Sequence, residues 1–136
     1  MTQPDAVDPV PAGTSTGLAP NVSGALSYLL GPITGIIFLV LEKKSSYVRF
    51  HAAQSIGIWV AFFAVSIVLS VFSMILTQIP VVGWIIGIVW FLFSLVLGLG
   101  GFILWLFLMY KGYSGEEWEF PWVGPQVRQV LLKGSV

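Results

Sequence analysis

The densest run of chemically capable side chains is Glu42-Lys43-Lys44-Ser45-Ser46-Tyr47-Val48-Arg49-Phe50-His51-Ala52-Ala53-Gln54-Ser55. Wound as a helix, it sets Tyr47, His51 and Ser55 at i, i+4 and i+8 on one face, with Phe50 and Gln54 as a second such pair. His51 is the side chain suited to a general base or a pH switch. A general base needs a nucleophile or a metal arranged around it, and the nearby serines form no triad pattern. His51 therefore reads as a hydrogen-bonded residue at a membrane interface that orients its helix. Arg49 has two readings that are compatible: binding of an anionic lipid headgroup or a partner's carboxylate, or an internal pair with Glu42 or Glu116. Downstream, Gly115-Glu116-Glu117-Trp118-Glu119 offers three carboxylates that should ion-pair with Lys43, Lys44 and Arg49.

No other chemistry is encoded. With one histidine and no cysteine, neither a multi-histidine metal site nor a thiolate site can be built. There is no phosphate loop, dinucleotide fingerprint or haem motif. The expected catalytic, cofactor and metal residues are therefore none, and the protein reads as a non-enzyme.

The elements that must position these residues are set by the solvent. The chain has 136 residues, of which 57% are hydrophobic and 9% charged. Soluble domains carry about 25% charge, and the mean hydropathy here is +0.92. Such a chain is an all-α integral membrane protein. Six basic and six acidic residues cancel, so nucleic acid is not an expected partner.

Residues 1–20 contain four prolines and no basic residue, and read as a disordered tail. Residues 21–124 read as a membrane domain of three transmembrane helices, and residues 125–136 as an interfacial C-terminal segment. The first span, Val22 to Leu41, should kink at Gly31-Pro32. The second, Ile56 to Leu76, should begin near Ser46 as N-cap and end at Thr77–Pro80. The third lies within the thirty residues Val81 to Tyr110, as a tilted span after a short interfacial lead-in. Lys43, Lys44 and Arg49 follow the first span, whereas Lys111, Arg128 and Lys133 follow the third. Three spans put all six on one face, as the positive-inside rule asks, with the N-terminus outside and the C-terminus cytoplasmic in a prokaryotic cell membrane.

The second span aligns Ser55, Ser66, Ser70 and Ser73, and the third aligns Gly83, Gly87, Ser94, Gly98 and Gly101. The first offers Gly31 and Gly35. Helices in lipid associate through small residues that let backbones approach, so these stripes read as mutual contact faces of the three helices. A polar conduit along the hydroxyl stripe is the competing reading. No ionisable group lies within any span, which argues against an ion or proton pathway in one subunit.

Thr34-Gly35 with Leu41-Glu42-Lys43, then Val48-Arg49-Phe50-His51-Ala52-Ala53-Gln54-Ser55, then Lys111-Gly112-Tyr113-Ser114-Gly115-Glu116 and Pro121, together resemble a widespread family of small helical membrane proteins. The family is described as Tic-twenty-like, after a subunit of the chloroplast inner-envelope protein import machinery. The resemblance covers about residues 21 to 124. It implies a multi-span helical fold, with four spans in the chloroplast members, and a link to protein translocation. The functional expectation is a non-enzymatic accessory or structural subunit in the bilayer, packing with other membrane subunits or with itself. A channel or translocation component acting as an oligomer is the alternative.

Overall fold

The computed structural model describes residues 13–134. Among them the ordered elements are five helices: α1 (Pro20–Leu26), α2 (Pro32–Leu41), α3 (Ser46–Leu76), α4 (Val82–Ser114) and α5 (Val123–Lys133). The protein is an all-α multi-pass membrane protein in which two helices, α3 and α4, are long and apolar enough to cross a bilayer. Their 31 and 33 residues give roughly 46 and 50 Å of helix, against a hydrocarbon core of about 30 Å.

The surplus length is put to use at one end. Around the first three turns of α3 and the last turns of α4 are wrapped α1, α2 and α5, and the buried residues concentrate there. A small apolar core of Phe38, Val48 and Ala52 is joined by Leu26, Leu39 and Tyr47. From Val60 to Phe107 the large apolar side chains of α3 and α4 are mostly exposed, as suits lipid contact.

Local sequence explains the helix ends. Pro20 and Pro32 each open a helix, where the missing N–H costs no hydrogen bond. Ser45, one residue before the expected cap, accepts from the Val48 amide at 3.3 Å and starts α3. Gly115, in the left-handed region at φ 85°, ends α4.

The first expected span is not a kinked helix. It is interrupted: α1 stops at Leu26, the chain turns through Ser27–Gly31, and α2 runs back. Gly31 has φ 60° and ψ −125°, a conformation open to glycine, and a Cβ there would lie 2.3 Å from the Trp59 indole. The turn thus lies beside Ser55 and Trp59, roughly 14–20 Å along α3 from Ser46. Neither arm of this helical hairpin is long enough to span.

This differs from the three-span reading: among the described residues two helices, α3 and α4, are long and apolar enough to cross. Because α2 brings the chain back, Ser15 lies against Glu42 at the α2–α3 junction. The described N-terminal residues sit at the same end of the molecule as Lys43 and the end of α4, where three spans would have put a membrane between them. The expected tail at 1–20 falls partly outside the described residues. From Gly13 the chain forms a turn anchored on Glu42.

Candidate functional site

The covered end of the bundle is organised by a connected set of neutral hydrogen bonds. His51 is 1% exposed. Its Nδ1 is 2.9 Å from the Tyr28 hydroxyl and its Nε2 is 3.1 Å from the Glu116 carbonyl oxygen. The carbonyl can only accept, so Nε2 carries the proton, and the Tyr28 hydroxyl donates to Nδ1. Gln54, fully buried, donates from Nε2 to the Tyr28 hydroxyl and to the Trp118 carbonyl, each at 3.0 Å. Its Oε1 accepts the Phe120 amide at 2.9 Å, which fixes the orientation of the side-chain amide. Every polar atom of the two side chains is matched.

Further bonds extend this clasp to each neighbouring element. Ser55 Oγ donates to the Gly31 carbonyl at 3.1 Å, Trp105 Nε1 to the Tyr28 carbonyl at 2.8 Å, and the Tyr47 hydroxyl to the Gly112 carbonyl at 2.6 Å. Gly24 and Gly112 make the α1–α4 crossing possible. A Cβ on Gly112 would meet the Gly24–Ala25 backbone at 2.8–2.9 Å. The helical spacing of Tyr47, His51 and Ser55 is thus used to grip α4, the 116–120 segment and the hairpin turn, respectively. Tyr28, Trp105 and Gly24 escaped the sequence reading, and Gly112 entered it only within a family motif, because each matters only through an element distant in the chain.

Glu42 forms a separate centre. It is 0% exposed. Its carboxylate accepts amide N–H groups from Ser15 at 2.9–3.0 Å, and from Lys44 and Ser45 at 2.9 Å each. Desolvation works to raise its pKa, but the donors from Ser15, Ser45 and Lys44 outweigh it and hold the carboxyl below its usual range.

The ion pairs are not those expected. Glu116 pairs with Lys111, while Glu117 and Glu119 share Arg128. Among the described residues Arg49 makes no such pair; its Nη1 reaches the Glu42 carbonyl oxygen at 3.4 Å. The physical reason is that residues 116–119 run along α3 under α5, which delivers Arg128 to them. The Glu42 carboxylate, meanwhile, is already enclosed by backbone donors. Among the described residues no group of three or more His, Cys, Asp or Glu side chains could hold a metal ion.

The small-residue stripes divide. Gly31 and Gly35 are in tight contact, the latter with the Ala52 carbonyl and Ile56 at 3.0 Å. Ser66 and Ser70 of α3, by contrast, face Ser94, Gly98 and Gly101 of α4 across a cleft of about 600 Å³. A Cβ on Gly87, Gly98 or Gly101 would meet nothing within 4 Å. Gly87 borders a shallower groove with Trp84 at the far end, and Ser73 lies half-buried on α3 beyond the cleft. The stripe on the hairpin is thus packed within the chain, whereas the glycines of α4 at 87, 98 and 101 are not. Ser66, Ser70, Ser94, Gly98 and Gly101 line this cleft from its two sides.

No solved structure matches the chain. A UPF0132 membrane protein of Methanocaldococcus jannaschii is 43% identical over 120 residues, covering 85% of this chain and 92% of the relative. One from Archaeoglobus fulgidus is 45% identical over 111 residues, covering 82% and 94%. A family described by magnetosome magnetite crystal formation matches residues 15–127. That match encloses every stretch behind the Tic-twenty-like resemblance, from Thr34 to Pro121, and overturns it. The chain belongs to the magnetosome magnetite crystal formation protein family.

Proposed function

We propose that the protein is a structural membrane subunit that self-associates through the α3–α4 cleft, with both described ends on the cytoplasmic side. The observation that carries this reading is the cleft itself. Ser66, Ser70 and Ser94 point hydroxyls toward a medium without hydrogen-bond partners, and none makes a hydrogen bond among the described residues. A lipid tail offers them nothing. A helix of a second copy brings the same hydroxyls and the same small residues, and a groove of about 600 Å³ accepts its ridge of side chains.

The cytoplasmic assignment is supported by charge. Lys43, Lys44, Arg49, Lys111 and Arg128 all belong to the covered end, which also holds Ser15. With two crossings and a re-entrant hairpin, this end faces the cytoplasm. The family's description names magnetite crystal formation, but the four described carboxylates are engaged as set out above. The reading therefore gives this chain a scaffold's role, without direct iron binding.

The chain has no cysteine, so single cysteines report cleanly. Ser94→Cys should form a disulfide-linked dimer under mild oxidation in a bilayer, while Tyr113→Cys should not. Ala19→Cys and Ser114→Cys should react with an impermeant thiol reagent from the same side, and Gln78→Cys from the other. Absence of the Ser94 dimer at high protein density sinks the self-association. Opposite-side labelling of Ala19→Cys and Ser114→Cys sinks the topology.

A further inference from the structure

Charge accounting at the covered end leaves a remainder. Of the four described carboxylates, three are held by Lys111 and Arg128 and the fourth by backbone amides. Lys43, Lys44 and Arg49 meet no carboxylate among the described residues. Lys43 and Lys44 are exposed on the α2–α3 connection, and the single bond from Arg49 Nη1 to the Glu42 carbonyl holds its half-buried guanidinium beside them. Among the described residues most of the guanidinium's five N–H donors meet no acceptor.

The surface below Arg49 is apolar. Gly35 of α2 packs on Ala52 and Ile56, covering one side of α3. On another side, Val123 of α5 lies against Gly57, and Arg128 lies over the Phe50 ring. Between these covers lies a narrow face of α3 that is half-buried at Arg49 and Ala53 and opens at Val60. Arg49, Ala53 and Val60 stand on it at i, i+4 and i+11, and Val60 is 62% exposed. A cation cluster at the head of an apolar strip, where a membrane helix starts, has the layout of a phospholipid.

We propose that Lys43, Lys44 and Arg49 bind the phosphate of an anionic phospholipid, whose acyl chain lies on α3 along Ala53 and Val60 between α2 and α5. The occupant is fixed by charge complementarity and by the apolar strip, which a free phosphate or an acidic peptide does not need. Arg49 presents planar paired donors to the phosphate oxygens, and the two lysines act as point charges. The site is independent of the α3–α4 cleft.

The test uses the full chain in a neutral detergent. Phosphatidylglycerol, phosphatidylcholine and inorganic phosphate are titrated separately, with the unfolding midpoint and native mass spectrometry as readouts. Phosphatidylglycerol should raise the midpoint and remain bound through the spectrometer, and phosphatidylcholine should do neither. In the triple variant K43Q/K44Q/R49Q, three cations at roughly five-fold each predict a loss on the order of 100-fold in phosphatidylglycerol affinity at low salt. The variant K133Q should keep wild-type affinity. Equal effects of the two lipids, or a triple variant that binds normally, would overturn the proposal. So would inorganic phosphate reproducing the shift, which would assign the cluster to a free anion. A lipid effect that appears only after Asp5→Asn and Asp8→Asn would assign it to the chain's own N-terminal acids, with the same consequence.

Discussion

Replacing Gln54 by leucine is the sharpest probe of the clasp, because the two side chains have similar volume and differ in the groups that bond. The substitution removes donation to the Tyr28 hydroxyl and the Trp118 carbonyl and acceptance from the Phe120 amide, all at 2.9–3.0 Å. Three buried hydrogen bonds at about 1 kcal/mol net each put the loss near 3 kcal/mol, and the orphaned Phe120 N–H carries it toward about 4 kcal/mol. Gln78 provides the control. It is exposed and bonds the Met74 carbonyl of its own chain segment, so Gln78→Leu should cost less than about 0.5 kcal/mol. The assay is reversible unfolding in detergent combined with amide hydrogen exchange. Gln54→Leu should lower the free energy of unfolding by the stated amount and speed exchange at Phe120 most, because the 116–120 segment loses its anchor on α3. Equal costs for Gln54→Leu and Gln78→Leu, or unchanged exchange at Phe120, would show that the network does not hold the C-terminal segment.

Two further outcomes follow from the same geometry. Glu42 has a folded pKa below its unfolded value, so its contribution is complete above the unfolded pKa of about 4.3 and is lost as pH falls through the folded one. Acid should therefore release the turn at residues 13–19 from the α2–α3 junction, read as Ser15 amide exchange, and Glu42→Gln should abolish that pH dependence. Gly31→Ala should destabilise by more than about 1 kcal/mol, since it sets a Cβ at positive φ against Trp59. Gly87→Ala, in open space inside a helix, should be neutral or stabilising by up to about 1 kcal/mol, and equal midpoints for the two variants would count against the hairpin turn.

The legible part of this protein was whatever composition and local pattern control. An apolar chain with little charge has to fold in lipid, and runs of more than twenty uncharged residues become helices because no other single segment satisfies its own backbone there. Thus α3 and its end at Thr77–Pro80 were read closely, whereas α4 is continuous from Val82, with no separate lead-in, and runs past Tyr110 to Ser114. The Glu42–Ser55 stretch stood out because polar side chains beside a span must have partners. The partners themselves were not legible. Tyr28, Glu116, Trp118 and Phe120 reach His51 and Gln54 from more than twenty residues away, and nothing in the local spacing announces them.

The decisive ambiguity was Gly31-Pro32. A proline after a glycine fits a kink in one long helix and equally a fresh helix start after a reversal, since proline is at home in the first turn of a helix. Local sequence gives both the same signature. Only the fit of Gly31 against Trp59, of Gly24 against Gly112 and of Ser15 against Glu42 selects the reversal, and these contacts exist only after the chain has folded back. That choice leaves two helices of crossing length where three were expected, and it sets the described N-terminal residues at the same end of the molecule as Lys43. The amino-acid order thus dictated the medium and the helices, while long-range packing decided how the chain is threaded through that medium.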